Sequence, residues 1–337
     1  MIELVFTLDY EIYGNGQGSL RRHVYEPARR LARIFKERGA RFVLFVEAAE
    51  LKVIEAARTD DCIAEVLHQV KELHEDGFEL GLHLHPQWCK ATHDVNGWRL
   101  QQEEYNLCTL PKARIEQIID EALSFLRGIV ARPGFTPVSF RAGNWLFQPA
   151  CTAAAILADR GIRVDSSVFA GGMQRAKGLD YRRSLRNGWY WRFSDDVEIP
   201  DSAGRMLELP IHTRMVPFWK MLTGKRLSID QNGLMPDHPG ALWAGGKLSR
   251  LADLMRVRYP QKLDFCRMTS IELSGMIEEI VRQDAGEPSV YRPIIAIGHT
   301  KDLVDFHTVE SLLSLLKEKR IPTATMASVY ANCARAT

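Results

Sequence analysis

The stretch Glu79-Leu80-Gly81-Leu82-His83-Leu84-His85-Pro86-Gln87-Trp88 contains an apolar run that ends in two imidazoles. A second apolar run, in Val5-Phe6-Thr7-Leu8-Asp9-Tyr10-Glu11, ends in two carboxylates. On an extended strand, residues two apart project from the same side. We therefore expect Asp9 to face the same way as Glu11, and His83 the same way as His85. Two carboxylates and two imidazoles at neighbouring strand ends form a suitable site for a divalent metal ion.

Strand-like apolar runs alternate with amphipathic helical stretches along the chain. The predicted strands cover residues 2–8, 41–46, 78–82, 138–140, 162–164, 206–209, 293–297 and 321–324. The predicted helices lie near residues 26–38, 63–73, 111–126, 149–160, 246–258, 269–282 and 309–319. This alternation favours a parallel α/β architecture. The glycines of Gly14-Asn15-Gly16-Gln17-Gly18 lack the spacing of a dinucleotide-binding loop, so a closed or nearly closed barrel fits better.

The chain has 337 residues, a length that barrels of strand–helix units commonly reach as one domain. Three long insertions interrupt the pattern, at residues 85–110, 168–205 and 211–267. Loops of this length in a compact enzyme are usually functional. No linker, internal repeat or low-complexity tract divides the sequence. We therefore predict a single domain over residues 1–337.

Charge and cysteine content argue against several classes of protein. The 44 basic and 42 acidic residues leave a net charge of +2, which indicates no nucleic-acid or membrane-surface partner. The six cysteines include no Cys-x-x-Cys pair, which argues against a cysteine zinc site. No apolar run reaches about 18 residues and no signal-peptide pattern precedes the first strand. We therefore expect no integral membrane segment and a cytoplasmic location.

Further polar residues follow the other predicted strands. They are Arg141 after residues 138–140, Asp165 after residues 162–164, Glu208 and His212 around residues 209–211, and His299 after residues 294–298. In barrels of parallel strands, catalytic groups collect at the carboxyl ends of the strands. Polar side chains at the same end of six strands therefore predict one active site.

This set of motifs resembles the polysaccharide deacetylase family, carbohydrate esterase family four. The five segments that carry the resemblance occur in the family's order: Thr7-Leu8-Asp9-Tyr10-Glu11, Glu79-Leu80-Gly81-Leu82-His83, Phe140-Arg141-Ala142-Gly143-Asn144-Trp145, Val164-Asp165-Ser166-Ser167 and Ile297-Gly298-His299. The resemblance covers most of the chain. It implies a distorted (β/α) barrel of about seven strands with long inserted loops, which binds Zn²⁺ or another divalent ion.

The resemblance also implies a reaction, the removal of N-acetyl groups from an amino-sugar-containing glycan or glycan precursor. In that reaction Asp9 would take a proton from water, and His299 would protonate the leaving amine. Arg141 would orient Asp9, and Asp165 would hold an active-site side chain in place. The implied partner is an N-acetylated sugar, whereas the sequence gives no indication of the oligomeric state.

The metal ligands are where this sequence departs from the family pattern. The family has two histidines four residues apart, but the residue four after His83 is Gln87. We assign Glu11, His83 and His85 as the ligands, because Gln is a poor zinc ligand beside a nearby His. Pro86 disfavours the helical conformation at His85, which supports an extended stretch with both imidazoles on one side. Coordination by Gln87 or by water stays open at this stage.

The altered ligand set leaves two other functions open. One is a metal-free hydrolase of amides with the same fold, and the other is a glycan-binding pseudoenzyme without catalytic activity. A different class of metal-dependent barrel hydrolase also uses a His-x-His pair. That class carries the pair on its first strand, whereas His83 and His85 follow the third predicted strand here.

Overall fold

The structure is a computed structural model that describes residues 1–185, 190–234 and 257–336. Its strands are β1 (Ile2–Tyr10), β2 (Val43–Glu47), β3 (Glu79–Leu84), β4 (Thr92–Asp94), β5 (Gly97–Arg99), β6 (Ser139–Ala142), β7 (Val164–Asp165), β8 (Met173–Gln174), β9 (Leu179–Asp180), β10 (Trp191–Phe193), β11 (Met206–Glu208), β12 (Thr213–Pro217), β13 (Arg258–Lys262) and β14 (Arg292–His299). Its α-helices are α1 (Glu26–Glu37), α2 (Ala48–Ala57), α3 (Ile63–Glu75), α4 (Lys112–Ile129), α5 (Cys151–Asp159), α6 (Gly224–Leu234), α7 (Ser270–Gly286), α8 (Phe306–Glu318) and α9 (Met326–Ala336).

One curled sheet forms the centre of the described structure. Its parallel strands follow one another in the order β14, β1, β2, β3, β6, β7 and β11, and β10 joins the β11 edge antiparallel. Beyond β11 the chain returns to β14 through a bridge between Ile211 and Ile295. The N–H of His212 donates to the carbonyl of Ile295 at 2.9 Å in the same place. The sheet is therefore a distorted (β/α) barrel, which confirms the predicted fold class.

The alternation of side chains along each strand separates an inner core from an outer one. Val5, Phe45 and Ile295 belong to one buried cluster inside the barrel. Phe6, the neighbour of Val5, belongs to the outer core instead, where its ring packs edge-on against Phe35 of α1 at 4.9 Å. Odd-numbered residues of β1 therefore face inward, and this pattern carries the last residues of the strand toward the mouth of the barrel.

The segment after α8 closes the opposite end of the barrel. Met326, Val329 and Cys333 of α9 pack in the inner cluster with Val5. The predicted strand at residues 321–324 is wrong, because only Thr323 forms a bridge, to Leu4. Proline at position 322 has no N–H to donate, so a regular ladder cannot continue through it. The residues nevertheless run alongside β1, since Leu4 donates to the carbonyl of Pro322 at 3.0 Å.

Most predicted helices have the expected ends. Thr269 and Glu272 form the predicted capping box at the start of α7. Gly77 follows the end of α3 with a φ of +84°, the left-handed conformation that glycine adopts without strain. Helices α2, α6 and α9 were not predicted from the sequence. The predicted helix near residues 246–258 lies outside the described residues except for Val257 and Arg258, and Arg258 begins β13.

The long insertions carry small sheets and short helices above the barrel. Residues 85–110 include the β4–β5 hairpin, and strands β12 and β13 of the last insertion pair antiparallel. None of the helices in the described ranges is both long and apolar enough to span a bilayer.

Candidate active site

The carboxyl ends of the parallel strands bring the predicted residues to one end of the barrel. Asp9 of β1 pairs in register with His299 of β14, and Glu47 of β2 pairs with His83 of β3. His83 in turn pairs with Arg141 of β6. These neighbouring register positions place side chains from strands distant in sequence around a single buried centre.

Asp9 is held by a buried arginine. Nη1 of Arg141 donates to Oδ1 of Asp9 at 2.5 Å, and its Nη2 donates to Oγ1 of Thr7 at 3.0 Å. The guanidinium is fully buried, and its Nε donates to the carbonyl of Ser166 at 2.9 Å. Burial acts to raise the pKa of Asp9, but the positive charge of Arg141 and the nearby histidines outweigh it and lower the pKa. Asp9 is therefore ionised and held in one orientation.

Glu11 and the two histidines form a compact set of candidate ligands. Oε2 of Glu11 lies 3.4 Å from Nε2 of His83 and 3.0 Å from Nε2 of His85. Ligands at about 2.0–2.1 Å from a tetrahedral ion are separated by distances of this order. The other oxygen of Glu11 accepts a hydrogen bond from Nζ of Lys301 at 2.7 Å. Burial opposes ionisation of Glu11, but Lys301 and His85 lower its pKa well below the ordinary value.

The ring nitrogens of His83 point in the directions that a metal ligand needs. Nδ1 of His83 lies 2.8 Å from the carbonyl of Arg141, which can only accept a hydrogen bond, so Nδ1 carries a proton. Nε2 is therefore the atom that faces Glu11 and the proposed ion. Burial acts to lower the pKa of His83, yet Asp9 and Glu11 raise it. An ion at this place would displace the second proton of the ring.

The surroundings of His85 test whether the site fits a metal. Its Nδ1 lies 3.2 Å from Nε2 of Gln87 and 3.2 Å from Nδ2 of Asn144, so two amide NH₂ groups face one ring nitrogen. The Oε1 atom of Gln87 is buried and has no hydrogen-bond partner. Turning the Gln87 amide by half a revolution gives Oε1 a partner, because a protonated Nδ1 can then donate to it. Nε2 of His85 is then free for the ion, so these residues fit a metal.

The backbone around His85 also matches the prediction from the sequence. His85 is extended, with φ −104° and ψ 93°, and a 3₁₀ turn begins only at Pro86. Gly143 lies so close that a Cβ there would be 2.6 Å from Cγ of His85. Burial lowers the pKa of His85, so its ring is neutral, which is the form that binds metals.

The structure places Asp165 outside the group formed by Asp9, Glu11 and the histidines. Since Val164 faces the inner cluster, Asp165 points outward, beside its register partner Glu208. Asp165 accepts a hydrogen bond from Oγ of Ser167 at 2.7 Å. Burial raises the pKa of Asp165, and burial together with Asp165 raises that of Glu208. Asp165 therefore supports the loop whose Ser166 carbonyl holds Arg141, and any more direct role stays a prediction.

Three acidic or basic groups at the site were not assigned from the sequence. Oε1 of Glu47 accepts the N–H of His85 at 2.9 Å, and Oε1 of Glu50 accepts the N–H of Ile12 at 2.9 Å. Burial raises the pKa of Glu50 to about 8 and that of Glu47 well above its ordinary value. Glu47 follows the apolar run of residues 41–46, so the strand-end pattern contained a signal for it. Lys301 lies two residues after His299 and had no comparable signal.

A cavity of about 370 Å³ opens onto this centre. Asp9, Glu11, His83, His85 and His299 form its floor, and residues of the insertions form its walls. A larger cavity of about 750 Å³ adjoins it and shares Tyr13, Ile229 and Lys301 with it. Together they are large enough for more than one sugar ring.

No family model matches the sequence, and no curated protein is significantly similar to it. Solved structures do share its fold. A proposed polysaccharide deacetylase from Mycobacterium smegmatis is 14% identical, with 98% of this chain and 89% of that one covered and a TM-score of 0.53. Puue allantoinase is 9% identical, with 97% and 88% covered and a TM-score of 0.52. A GH57 branching enzyme from Thermococcus kodakaraensis is 12% identical, with 98% and 70% covered and a TM-score of 0.55. The chain therefore has a polysaccharide-deacetylase-like fold, which it shares with enzymes of other activities.

Proposed function

We propose that the protein is a hydrolase that uses Zn²⁺ or another divalent ion to remove N-acetyl groups from an amino-sugar-containing glycan or glycan precursor. The observation that carries the proposal is the convergence of His83 and His85 on one oxygen of Glu11, at 3.4 and 3.0 Å. Asp9 and His299 lie beside the same carboxylate, because one ligand atom each of Asp9, Glu11 and His299 lies within 4.8 Å of the other two. Two of the three similar solved structures, a proposed polysaccharide deacetylase and a GH57 branching enzyme in complex with glucose, have names that support the proposal of a carbohydrate substrate.

Glu11, His83 and His85 would hold the ion. An ion there supplies a Lewis acid, which lowers the pKa of water and stabilises negative charge on the amide oxygen. Lys301 would keep Glu11 to a single ligand oxygen, because it occupies the other one at 2.7 Å. The carbonyl of Arg141 would fix the ring of His83, and Gln87 would do the same for His85.

Asp9 and His299 form a path for the proton. Arg141 occupies Oδ1 of Asp9, so Oδ2 is the oxygen that takes a proton from the attacking water. Oδ2 lies close enough to Nε2 of His299 to pass that proton on. Burial lowers the pKa of His299 to about 3, so the imidazole is neutral before the reaction. Once protonated it is a strong acid, and it gives the proton to the leaving amine.

The test combines ion content with acetate release, both measured on the full chain. The purified protein should contain one divalent ion per chain, and it should release acetate from oligomers of N-acetylglucosamine. Glu11→Ala, His83→Ala and His85→Ala should lose both properties. His68→Ala is the matched control, because His68 is two-thirds exposed on α3 and should keep both.

A metal-free amide hydrolase is the second candidate, and the ion pair of Lys301 with Glu11 favours it. The ammonium already neutralises the carboxylate that an ion would need. This function predicts that acetate release or other amide hydrolysis persists after chelation, and that Lys301→Met abolishes it. Under the first proposal chelation stops the reaction, and adding back the ion restores it. An ion-loaded chain that releases acetate from no acetylated sugar would reject deacetylation.

A further inference from the structure

The cavity above the proposed catalytic centre contains four lysine and arginine side chains among its described lining residues. Three of them lie in ion pairs with carboxylates of the protein. These pairs are Lys301 with Glu11 at 2.7 Å, Arg226 with Glu272 at 2.7 Å, and Arg267 with Asp302 at 2.9 Å. The fourth is Lys262, the last residue of β13, which differs from the others in its surroundings.

The ammonium group of Lys262 lies against two aromatic rings. Its Nζ is 3.0 Å from the centroid of the Trp145 ring and 4.8 Å from that of Phe169. Within residues 1–185, 190–234 and 257–336 it makes no hydrogen bond or ion pair. Asp264 is near in sequence, but its Oδ1 already accepts the N–H groups of Cys266 and Arg267, each at 3.0 Å. Trp145 therefore positions the ammonium without supplying a conventional acceptor for its three N–H groups.

This arrangement costs free energy unless a ligand compensates for it. A charged group partly removed from water is unfavourable unless an anion or acceptor pairs with it. Asp264 and Asp9 are the carboxylates whose charges act on the Lys262 ammonium, but neither forms an ion pair with it. Burial lowers the pKa of Lys262 to about 7, although Asp264 acts to raise it. The rings hold the side chain in one position, so an incoming anion would meet a prearranged donor.

Trp145 also connects this ammonium to the reaction centre. The ring of Trp145 lies edge-on to that of His299, with centroids 6.0 Å apart. A group bound by Lys262 is thus separated from the proposed acid by a single indole ring. The anion and the amide would belong to the same or an adjoining sugar unit.

We propose that the substrate is an acetamido sugar that bears a negatively charged substituent, a carboxylate or a phosphate, and that Lys262 binds this substituent. The inference rests on the proposed function for the acetamido group, but it concerns recognition and not bond cleavage. Lys262 is a specificity-determining residue in this proposal. Its role is to favour acidic acetamido sugars over neutral ones.

The test measures binding, so it needs no turnover. Calorimetry on the ion-loaded full chain would compare neutral N-acetylglucosamine with N-acetylglucosamine 6-phosphate and with N-acetylmuramic acid, which carries a carboxylate. At least one acidic sugar should bind at least tenfold more tightly than the neutral one, and the tighter of the two identifies the anion. Lys262→Met should remove that preference and leave the affinity for the neutral sugar within twofold. Lys262→Arg should keep most of it.

Lys220→Met is the control for loss of a positive charge, because Lys220 is exposed and does not line the cavity. Equal binding of acidic and neutral sugars to the parent chain would overturn the proposal. So would an equal loss of both affinities in Lys262→Met when Lys262→Arg restores both, since Lys262 would then serve every substrate. A chain that prefers acidic sugars but releases no acetate would keep this inference and reject only the deacetylase function.

Discussion

The side-chain amide of Gln87 lies 3.2 Å from Nδ1 of His85, on the side of the ring opposite to Glu11. Gln87 occupies the position at which the polysaccharide deacetylase family, which this sequence resembles, has its second histidine. In this chain the side chain at position 87 therefore contacts Nδ1 of a candidate ligand, whereas Nε2 of that ligand faces the place of the proposed ion. If His85 is a ligand, as we propose, it lies two residues before the family's position, and Gln87 would orient it.

Replacing Gln87 by alanine should weaken zinc binding without abolishing it. Loss of a partner that orients a ligand histidine typically costs 10–100-fold in metal affinity. Competition with a chromogenic chelator measures this change. Gln69→Ala is the control, because Gln69 of α3 is also buried but accepts a hydrogen bond from the hydroxyl of Tyr10 and contacts no candidate ligand. Complete ion loss, as in His85→Ala, would make Gln87 a ligand, and unchanged affinity would leave the orientation of His85 to Asn144.

Replacing Asp9 by asparagine should lower turnover by about 10² or more and leave the ion content unchanged. Asparagine keeps the size of the side chain and an oxygen for Arg141, but it is too weak a base to accept the proton of water. Single-turnover acetate release and elemental analysis of the same sample measure both quantities. Activity close to that of the parent would place the base elsewhere, with Glu11 the first residue to examine.

Replacing His299 by alanine should also depress turnover while the ion stays bound. Nε2 of His299 lies 3.4 Å from Oδ2 of Asp9. His299 is not one of the three proposed ligands, which are Glu11, His83 and His85. Asp9, Glu11 and His299 do, however, form a second cluster of possible ligand atoms. Simultaneous loss of ion and activity in His299→Ala would therefore assign His299 to the metal and not to proton transfer.

Glu50 predicts a pH dependence of stability that a single substitution should remove. Burial raises its pKa from 4.5 to about 8, so folding favours the protonated form. The stability it contributes is fully present below about pH 4.5 and is lost as the pH rises through about 8. When the pH is raised from 5 to 8, the free energy of unfolding should therefore fall less in Glu50→Gln than in the parent. The difference between the two decreases should be about 1 kcal/mol or more.

Urea unfolding at pH 5 and pH 8, in the presence of a chelator, measures this difference. Glutamine keeps the oxygen that accepts the N–H of Ile12, so the hydrogen bond at 2.9 Å is preserved. Glu55→Gln is the matched control, because Glu55 is exposed on the same helix, α2. The same pH profile in the parent and in Glu50→Gln would contradict a protonated Glu50.

The parallel barrel could be predicted because its strands are apolar runs separated by helices. Helix α2 was missed, since it follows β2 directly and no side chain caps its start. The segment at 321–324 was mistaken for a strand because it is apolar, although Pro322 prevents a ladder. The single-domain organisation of residues 1–337 stays a prediction.

The candidate site could be predicted where polar residues end a strand on its inward side. This is why Asp9, Glu11, His83 and Arg141 lie together. Asp165 shows the limit of that pattern, because a shift of one residue along a strand reverses the direction of the side chain. Lys262 could not be found from the sequence, because it lies in an insertion and reaches the cavity only through the pairing of β13 with β12.

The pairing of β1 with β14 determines when the central sheet of a newly made chain can be completed. β1 lies between β2 and β14, so during synthesis on the ribosome one of its edges stays unpaired until residues 292–299 have emerged. An open strand edge favours aggregation, so the nascent chain carries this hazard until β14 pairs with β1. A product truncated before Arg292 lacks both the partner of β1 and His299. Premature termination therefore leaves one edge of β1 open and removes one of the candidate catalytic groups.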